Sequence, residues 1–412
     1  MVTKVQIENF KSIEKLSLSL GRVNVLIGEN GCGKTNILEG IAMAAAAEDT
    51  KNLNEHLANR GVRVTPSPFM RASFEEEKQG GDIKIKLNAL GELNYNFEFY
   101  HNNSTYSDWN LRNLDFITSK PLERVSSEEK IRKKVADEYI EVLKKQNQLI
   151  TQRPIDSEAY TNLVDESNAL SENLLKKLSY AADVIDNYER IMSFINDFVI
   201  YAPENHFLRK TDELGTVEPL GYRGEGLIKL VSVLHKEKPE AIEEIKKHLR
   251  LISWFEDFEI VNDAFTGSYV KIRDAYLGKD IYYPNLKSTN EGFLFLLFYL
   301  TLFIAEYTPK FFAIDNIDNA LNPKLCRELV KVLTQLAKKY DKQVIFTTHN
   351  PAVLDGLNLD DDEQRLFVVY RNAEGRTKTR RVKKRETPEG YEPMRMSEQY
   401  MNGFIGGLPK NF

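Results

Sequence analysis

A glycine-rich stretch near the N-terminus has the residue types and spacing to hold a phosphate chain. Residues 28–35 read GENGCGKT, which fits GxxxxGK[ST], and they lie between a β-rich run and a helical pattern. The glycines let the backbone approach phosphate closely, and the loop N–H groups and the helix N-terminus supply hydrogen-bond donors. Lys34 is spaced to reach the β- and γ-phosphates, and Thr35 to ligate Mg²⁺. We therefore predict an ATP and Mg²⁺ site that includes Asn30, Gly31, Gly33, Lys34, Thr35 and Asn36.

An acidic residue ends a later apolar run, at residues 311–314. Asp315 suits the carboxylate on the Mg²⁺ side of such a site, although an acid in this place also suits the cap of a turn. The next residue is Asn316, and its amide oxygen is not basic enough to take a proton from water. Hydrolysis is therefore either slow or supported instead by Asp318 or His349. Nucleotide binding does not depend on this choice.

A second buried strand is predicted at Val344–Thr348, and His349 follows it directly. In open parallel sheets, ligands bind at the carboxyl ends of the strands. His349 is therefore a candidate to hydrogen-bond the γ-phosphate or to position water, whereas a lone histidine at a strand end also serves structure alone. With Asp315 and Asn316 it completes the predicted catalytic set.

The segment Ser288–Gly292 (STNEG) precedes a strongly apolar helical pattern. Ser, Thr and Asn before a helix are ordinary N-caps. The N-terminus of a capped helix also binds anions, so Ser288 and Gly292 are candidates to present donors to a phosphate.

Seven of ten residues are basic in the stretch RTKTRRVKKR, at 376–385. On a strand, alternate residues share a face, so this stretch could bind a DNA or RNA backbone. A charged, solvated edge strand is the alternative, and the acids at 360–363 argue against one broad basic field. The candidate nucleic-acid residues are Arg376, Lys378, Arg380, Arg381, Lys383 and Lys384.

Hydrophobic periodicity places these motifs on a mixed α/β sheet assembled from both ends of the chain. Strands are predicted at 3–9, 15–19, 22–27, 82–88 and 93–100, with a helix at 36–47. Residues 291–348 alternate helix, strand, helix and strand, as in a parallel sheet with covering helices, and strands at 366–370 and 377–383 form a closing hairpin. We predict the two halves of one nucleotide-binding domain at 1–118 and 201–412.

The residues between these halves, 119–200, are predicted to form a helical hairpin insertion. Ser126–Ile150 contains no glycine or proline and carries a helical stripe of apolar residues. Such a hairpin either covers a face of the core or projects as a short coiled coil, and the stripe is too irregular for strict heptads. The stripe comprises Ile131, Val135, Tyr139, Val142 and Leu149.

The composition favours a cytoplasmic protein without a membrane segment. The 412 residues carry a net charge of −5 and 42% apolar residues, so any basic site must be local. The two cysteines, Cys32 and Cys326, show no disulfide or zinc spacing and suit a reducing compartment. The longest apolar run, Phe293–Ala305, is too short to span a bilayer.

With these motifs assembled, the chain resembles the RecF/SMC-like ATP-binding-cassette proteins. More closely, it resembles the AAA15/AAA21-type ATPases of bacterial anti-phage defence systems such as Septu, PARIS and the OLD-type nucleases. The likeness rests on VQIENFKSI, GENGCGKTNIL, STNEGFLFLLFYLTLF, FFAIDNIDNALNP and VIFTTHNPAVLDGL. It implies an ATP-binding-cassette-type ATPase head that pairs head to tail with a second copy, or in a higher oligomer, with ATP between the heads.

The same likeness implies roles across the interface for the segment Ser288–Gly292 and for residues 316–323. Two departures argue against fast turnover: the signature lacks the usual serine-glycine-glycine form, and Asn316 stands where the family usually has glutamate. We find no nuclease constellation, which OLD-type proteins carry after the ATPase. The chain therefore resembles an ATPase subunit whose nuclease is a separate polypeptide, as in Septu.

Three functional hypotheses follow. The first is an ATP-gated sensor or scaffold that self-associates and controls a partner nuclease, with slow or absent hydrolysis. The second is an active, DNA-stimulated ATPase of RecF-like repair or recombination. A small-molecule kinase or GTPase is disfavoured by the late strand-Asp and strand-His series and by the absence of a guanine-type tetrapeptide.

Overall fold

A computed structural model of the chain describes residues 1–47, 52–74, 81–89, 93–104, 107–118, 186–210, 219–263, 267–278, 281–283, 289–384 and 393–408, with isolated residues between 133 and 176. Fourteen strands lie in these ranges: β1 (Val2–Phe10), β2 (Ile13–Ser19), β3 (Val23–Ile27), β4 (Ile83–Ala89), β5 (Leu93–Tyr100), β6 (Asn110–Thr118), β7 (Val199–Tyr201), β8 (Phe255–Asp263), β9 (Gly267–Asp274), β10 (Tyr282–Tyr283), β11 (Phe311–Ile314), β12 (Gln343–Thr348), β13 (Gln364–Arg371) and β14 (Thr377–Val382).

The helices of the described ranges are α1 (Lys34–Ala45), Leu53–Asn59, Ser67–Met70, 186–196, Asn205–Leu208, Leu227–Glu237, Pro239–Leu249, Glu291–Ile304, Pro323–Lys339 and Met396–Met401, with a 3₁₀ turn at Pro351–Gly356. None of the helices in the described part of the chain is long and apolar enough to cross a membrane.

The central sheet has six strands in the order β14-β13-β3-β12-β11-β7. Its internal pairings are parallel, and only β14 runs antiparallel, to β13. Strand β3 from the N-terminal part therefore lies between β13 and β12 from the C-terminal part. Every residue of β3, β11 and β12 is buried, as expected for central strands covered on both faces. The predicted mixed α/β architecture is confirmed.

Two apolar clusters cover the faces of this sheet. On one face the helix Glu291–Ile304 is buried from Gly292 to Ile304 and packs with the helix Pro323–Lys339. On the other face α1 lies between the central sheet and a five-stranded antiparallel sheet, β2-β1-β4-β5-β6. A separate three-stranded sheet has the order β10-β9-β8. The apolar run at 293–305 is thus a core helix, which explains why apolar residues occupy its whole circumference.

Most predicted elements are confirmed, and the differences have local causes. Helix α1 begins at Lys34 rather than residue 36, because Gly33, with φ 105°, ends the loop immediately before it. Strand β6 was not predicted, because its polar and apolar residues do not alternate cleanly. Its pairing with β5 also shifts register. The apolar stripe predicted within Ser126–Ile150 lies outside the described residues. At the far end of the predicted insertion, residues 186–196 are helical.

Candidate nucleotide-binding site

The glycine-rich loop connects the carboxyl end of β3 to the N-terminus of α1. A Cβ at Gly28 would lie 2.1 Å from the Val369 carbonyl oxygen, so glycine is required where the loop crosses β13. Gly31, with φ 74°, lies at the exposed tip beside Asn30, and a Cβ there would meet no atom within 4 Å. The loop is therefore tightly packed at its base and open at its tip, where a phosphate chain would enter.

Lys34 points back into the loop. Its side chain is buried, and Nζ donates to the carbonyl oxygens of Gly28, at 2.9 Å, and Glu29, at 3.0 Å. Burial is the main reason that the pKa of Lys34 lies below its ordinary value, against the opposing effect of nearby Asp315. An anion in the loop would compensate this loss of solvation. The arrangement therefore favours a phosphate ligand.

Asp315 and Thr35 meet although they come from opposite parts of the chain. Thr35 Oγ1 donates to Asp315 Oδ2 at 3.0 Å, and the Thr347 hydroxyl donates to Asp315 Oδ1. A hydroxyl and a carboxylate oxygen are hard ligands that suit Mg²⁺, which usually keeps water and phosphate oxygens for its remaining positions. Among the described residues, no cluster of three or more His, Cys, Asp or Glu side chains could hold a metal ion. The pair thus fits a nucleotide-bound Mg²⁺ rather than an all-protein metal cage.

His349 lies at the end of β12 with its Nδ1 3.4 Å from Lys34 Nζ. Partial desolvation of the ring, and then the positive charge of Lys34, lower the pKa of His349 below its ordinary value. The ring is therefore held neutral near pH 7, so it can donate or accept a hydrogen bond at the γ-phosphate end of the site. The structure places His349 beside the loop, as the sequence predicts.

Asn316 adopts a left-handed backbone conformation, with φ 53°, and its N–H donates to Thr347 Oγ1 at 2.8 Å. This conformation suits asparagine better than most residues. Nearby, Thr348 Oγ1 donates to Asp318 Oδ1 at 2.6 Å, and the charge of Asp318 acts on both Lys34 and His349. The Asp318 carboxylate is therefore close enough to the site to be a candidate substitute for the missing glutamate.

The predicted signature segment is only partly described, because Ser288 lies outside the described residues. Asn290 caps the helix Glu291–Ile304, its Oδ1 accepting from the N–H of Gly292 at 2.8 Å. A Cβ at Gly292 would lie 3.5 Å from the Ala320 carbonyl oxygen, so the segment adjoins residues 316–323. The N-cap interpretation is confirmed. The roles of Ser288 and Gly292 toward a nucleotide stay predictions.

Most cations of the basic stretch are paired within the chain. Arg376 contacts Glu14 at 2.9 Å and Arg381 contacts Asp362 at 2.6 Å, while Lys384 pairs with Asp360 and Arg380 donates to the Ile405 carbonyl oxygen. For Lys378 and Lys383 the described part of the chain shows no such partner. Strand β14 begins at Thr377, so Arg376 precedes it. The acids at 360–363 thus neutralise part of the predicted nucleic-acid surface.

Several charged groups that surround the loop had no assigned role from sequence alone. Glu39 on α1 is fully buried and accepts from Lys11 Nζ at 2.7 Å and from Arg63 Nε at 3.0 Å. The field of Asp315 reaches Arg63, whose side chain is 67% exposed, so this cluster adds positive charge near the site. Lys11 lies within the quoted VQIENFKSI motif, and this was the only indication in the sequence that Lys11 belongs to the site. Nothing in the sequence pointed to Glu39 or Arg63.

The sheet order and the meeting of the loop with Asp315 and His349 define an ATP-binding-cassette-type P-loop ATPase of the RecF/SMC class. Residues 23–355 match the family described as "AAA domain, putative AbiEii toxin, Type IV TA system", and the chain belongs to this family.

Solved and curated relatives agree with this class. A crystal structure of an SMC head bound to the C-winged helix domain of ScpA covers 93% of this chain and 98% of its own, with a TM-score of 0.52 and 13% identity, a likeness of fold. The DNA replication and repair protein RecF of Bacillus thuringiensis (strain Al Hakam) and that of Bacillus cereus (strain B4264) are each 32% identical over 88 residues. These residues are 21% of this chain and 22% of each RecF, so the likeness covers about a fifth of the curated relatives.

Proposed function

We propose that this protein is a nucleotide-gated sensor or scaffold that binds ATP and Mg²⁺, pairs through its ATPase heads and controls a separate partner, with slow or absent hydrolysis. The observation that carries the proposal is Asn316. Its N–H is tied to Thr347 directly after the carboxylate that meets Thr35, so an amide occupies the position next to the Mg²⁺ ligand. An amide cannot deprotonate water, so binding is retained while turnover is weakened.

The residues of the site have separate roles in binding the nucleotide and its metal ion. The loop N–H groups and Lys34 would bind the phosphates. Thr35 and Asp315 would hold Mg²⁺, which would neutralise charge on the phosphate oxygens. Neutral His349 orients the γ-phosphate end, and Asp318 is the carboxylate that supports residual hydrolysis. A second copy would place the segment Ser288–Gly292 against the nucleotide, and the adjacency of Gly292 to Ala320 supports a common surface for both interface segments.

We infer the kind of partner from the family to which the chain belongs and from the proteins that its motifs resemble. The family's description names a toxin of a type IV toxin–antitoxin system, and the motifs resemble ATPases of anti-phage systems. We therefore infer a cytoplasmic defence role in which the partner is a nuclease encoded as a separate chain. The test is purification of the tagged protein together with its untagged genomic neighbours, followed by a hydrolysis assay. Hydrolysis at tens of turnovers per second by the isolated protein would exclude the slow switch.

A DNA-stimulated ATPase of RecF-like repair is the second candidate, and the RecF alignments favour it. It requires a strongly basic surface, whereas four of the six candidate cations already have partners within the chain. Stimulation of hydrolysis by DNA distinguishes the two functions, because only the repair ATPase requires it.

A further inference from the structure

A buried chain of hydrogen bonds joins the β13–β14 hairpin to the phosphate loop. Thr377 is fully buried, and its Oγ1 donates to the Cys32 carbonyl oxygen at 2.9 Å. Ser12 Oγ lies 2.7 Å from Thr377 Oγ1, and Asn36 Nδ2 donates to Ser12 Oγ at 2.6 Å. Because the Thr377 hydroxyl has one hydrogen and uses it on Cys32, Ser12 must be the donor to Thr377. The chain therefore runs in one direction, from Asn36 on α1 to the loop carbonyl.

A second contact from the same hairpin holds the neighbouring peptide of the loop. Arg371 Nε donates to the Gly31 carbonyl oxygen at 2.9 Å. Two successive carbonyl groups of the loop, at Gly31 and Cys32, are thus held toward the hairpin. In a planar trans peptide the N–H points opposite to the carbonyl, so the N–H groups of Cys32 and Gly33 are directed away from the hairpin. The Cys32 N–H makes a long hydrogen bond to the Glu29 carbonyl oxygen, at 3.4 Å, within the loop. The Gly33 N–H belongs to the set that a phosphate-binding loop offers to its ligand.

The Thr377 hydroxyl is not needed to dock the hairpin. The backbone N–H of Thr377 donates to the Ser12 carbonyl oxygen at 2.8 Å, and β14 is paired with β13 along its whole length. These bonds hold the strand without the side chain. A Cβ at Gly33 would lie 2.2 Å from Thr377 Oγ1, so the hydroxyl is seated directly against the loop. Its contacts are thus made with the phosphate-binding machinery itself.

We propose that Thr377 is a positioning residue for the nucleotide site, which acts through the Cys32 carbonyl to fix the direction of the loop's N–H donors. The inference rests on the proposed ATP binding and adds a residue of the basic stretch 376–385 for which the sequence suggested no role at the nucleotide. It also means that the hairpin bearing the basic residues is joined to the phosphate loop by defined bonds.

The test compares Thr377→Val, which keeps the shape and removes the donor, with Thr377→Ser, which keeps the donor. Affinity for MgATP and MgADP is measured by isothermal titration calorimetry, and folding by the thermal unfolding midpoint without nucleotide. We expect Thr377→Val to weaken both nucleotides about tenfold and Thr377→Ser to stay within about twofold, since one buried hydrogen bond is at stake. Arg371→Ala, which removes an exposed bond, should lose only about twofold to threefold.

Equal affinities for Thr377→Val and Thr377→Ser would overturn the proposal. The proposal would also be overturned if both variants lost nucleotide affinity and unfolding midpoint to the same extent. That result would show that the side chain only stabilises the fold. If Thr377→Val does not fold, Ser12→Ala carries the test by removing the donor to Thr377, and unchanged MgATP affinity there overturns the proposal. Absence of MgATP binding by the wild-type protein would instead refute the proposed function.

Discussion

Thr35 Oγ1 donates to Asp315 Oδ2 at 3.0 Å, although 280 positions separate the two residues in the chain. The bond is formed because β3, which leads into the phosphate loop, and β11, which ends at Asp315, both flank β12 in parallel. Their carboxyl ends therefore meet at one edge of the sheet. The following predictions depend on this convergence.

Replacing Lys34 with alanine should weaken MgATP binding roughly tenfold to a hundredfold, because a charged, hydrogen-bonded donor to phosphate is lost. Nucleotide-dependent self-association should be lost with it. Calorimetry and light scattering with and without MgATP measure the two effects. Lys15→Ala, at a 70% exposed lysine paired with Glu8, is the matched control and should behave as wild type. A Lys34→Ala protein that still assembles on addition of MgATP would refute the nucleotide-gated scheme.

Asn316→Glu should raise the rate of ATP hydrolysis by about tenfold or more, because a positioned general base typically contributes 10²–10⁴-fold. Gln335→Glu adds a carboxylate at an exposed position on the helix Pro323–Lys339 and should leave the rate unchanged. Asp318→Asn should remove most of the residual wild-type hydrolysis. Steady-state phosphate release measures all three variants. A rapid wild-type rate that Asn316→Glu does not increase would contradict the role assigned to Asn316.

The lowered pKa of His349 predicts a pH effect on stability. Because the folded protein favours the neutral ring, the unfolded state binds more protons at pH values between the lowered folded pKa and the ordinary histidine pKa of 6.5. The contribution of His349 to stability is thus fully present above about pH 6.5 and is lost as the pH falls through the lower folded value. Denaturant unfolding of wild type and His349→Gln from pH 8 to 5 measures this. As the pH falls, the free energy of unfolding of the wild type should decrease relative to that of His349→Gln. A difference between the two proteins that does not change with pH would contradict the prediction.

Gly33→Ala should lower the free energy of unfolding by about 3 kcal/mol or more, because φ 105° is strained for alanine and the new Cβ would overlap Thr377 Oγ1. Gly31→Ala also meets a positive φ, of 74°, but has open space around its Cβ, so it should cost only about 1 kcal/mol. Urea unfolding of the two variants measures the contrast. Equal destabilisation by Gly33→Ala and Gly31→Ala would show that Thr377 moves aside easily to accommodate the new Cβ.

Binding to duplex DNA should be weak and only mildly dependent on salt. With Lys378 and Lys383 as the basic-stretch cations without described partners, the logarithmic salt slope should be about −2, at roughly −0.9 per phosphate contact. Fluorescence anisotropy between 50 and 200 mM salt measures the slope, and the double replacement of both lysines by alanine should abolish binding. A slope of about −5 or steeper would show that the paired arginines also engage phosphate, and would favour the repair ATPase.

The amino-acid sequence by itself determined the phosphate loop, the acid and histidine at two strand ends, and most helices and strands. These features are local, because a glycine spacing or an apolar run is recorded within a few consecutive residues. The tertiary structure decided which distant polar groups meet. Asn36 Nδ2 donates to Ser12 Oγ, and Thr377 reaches Cys32 from 345 positions away. Such pairings follow from strand order and register, which no local pattern specifies. The same is true of the basic stretch, whose charge is set by carboxylates that only the folded hairpin brings beside it.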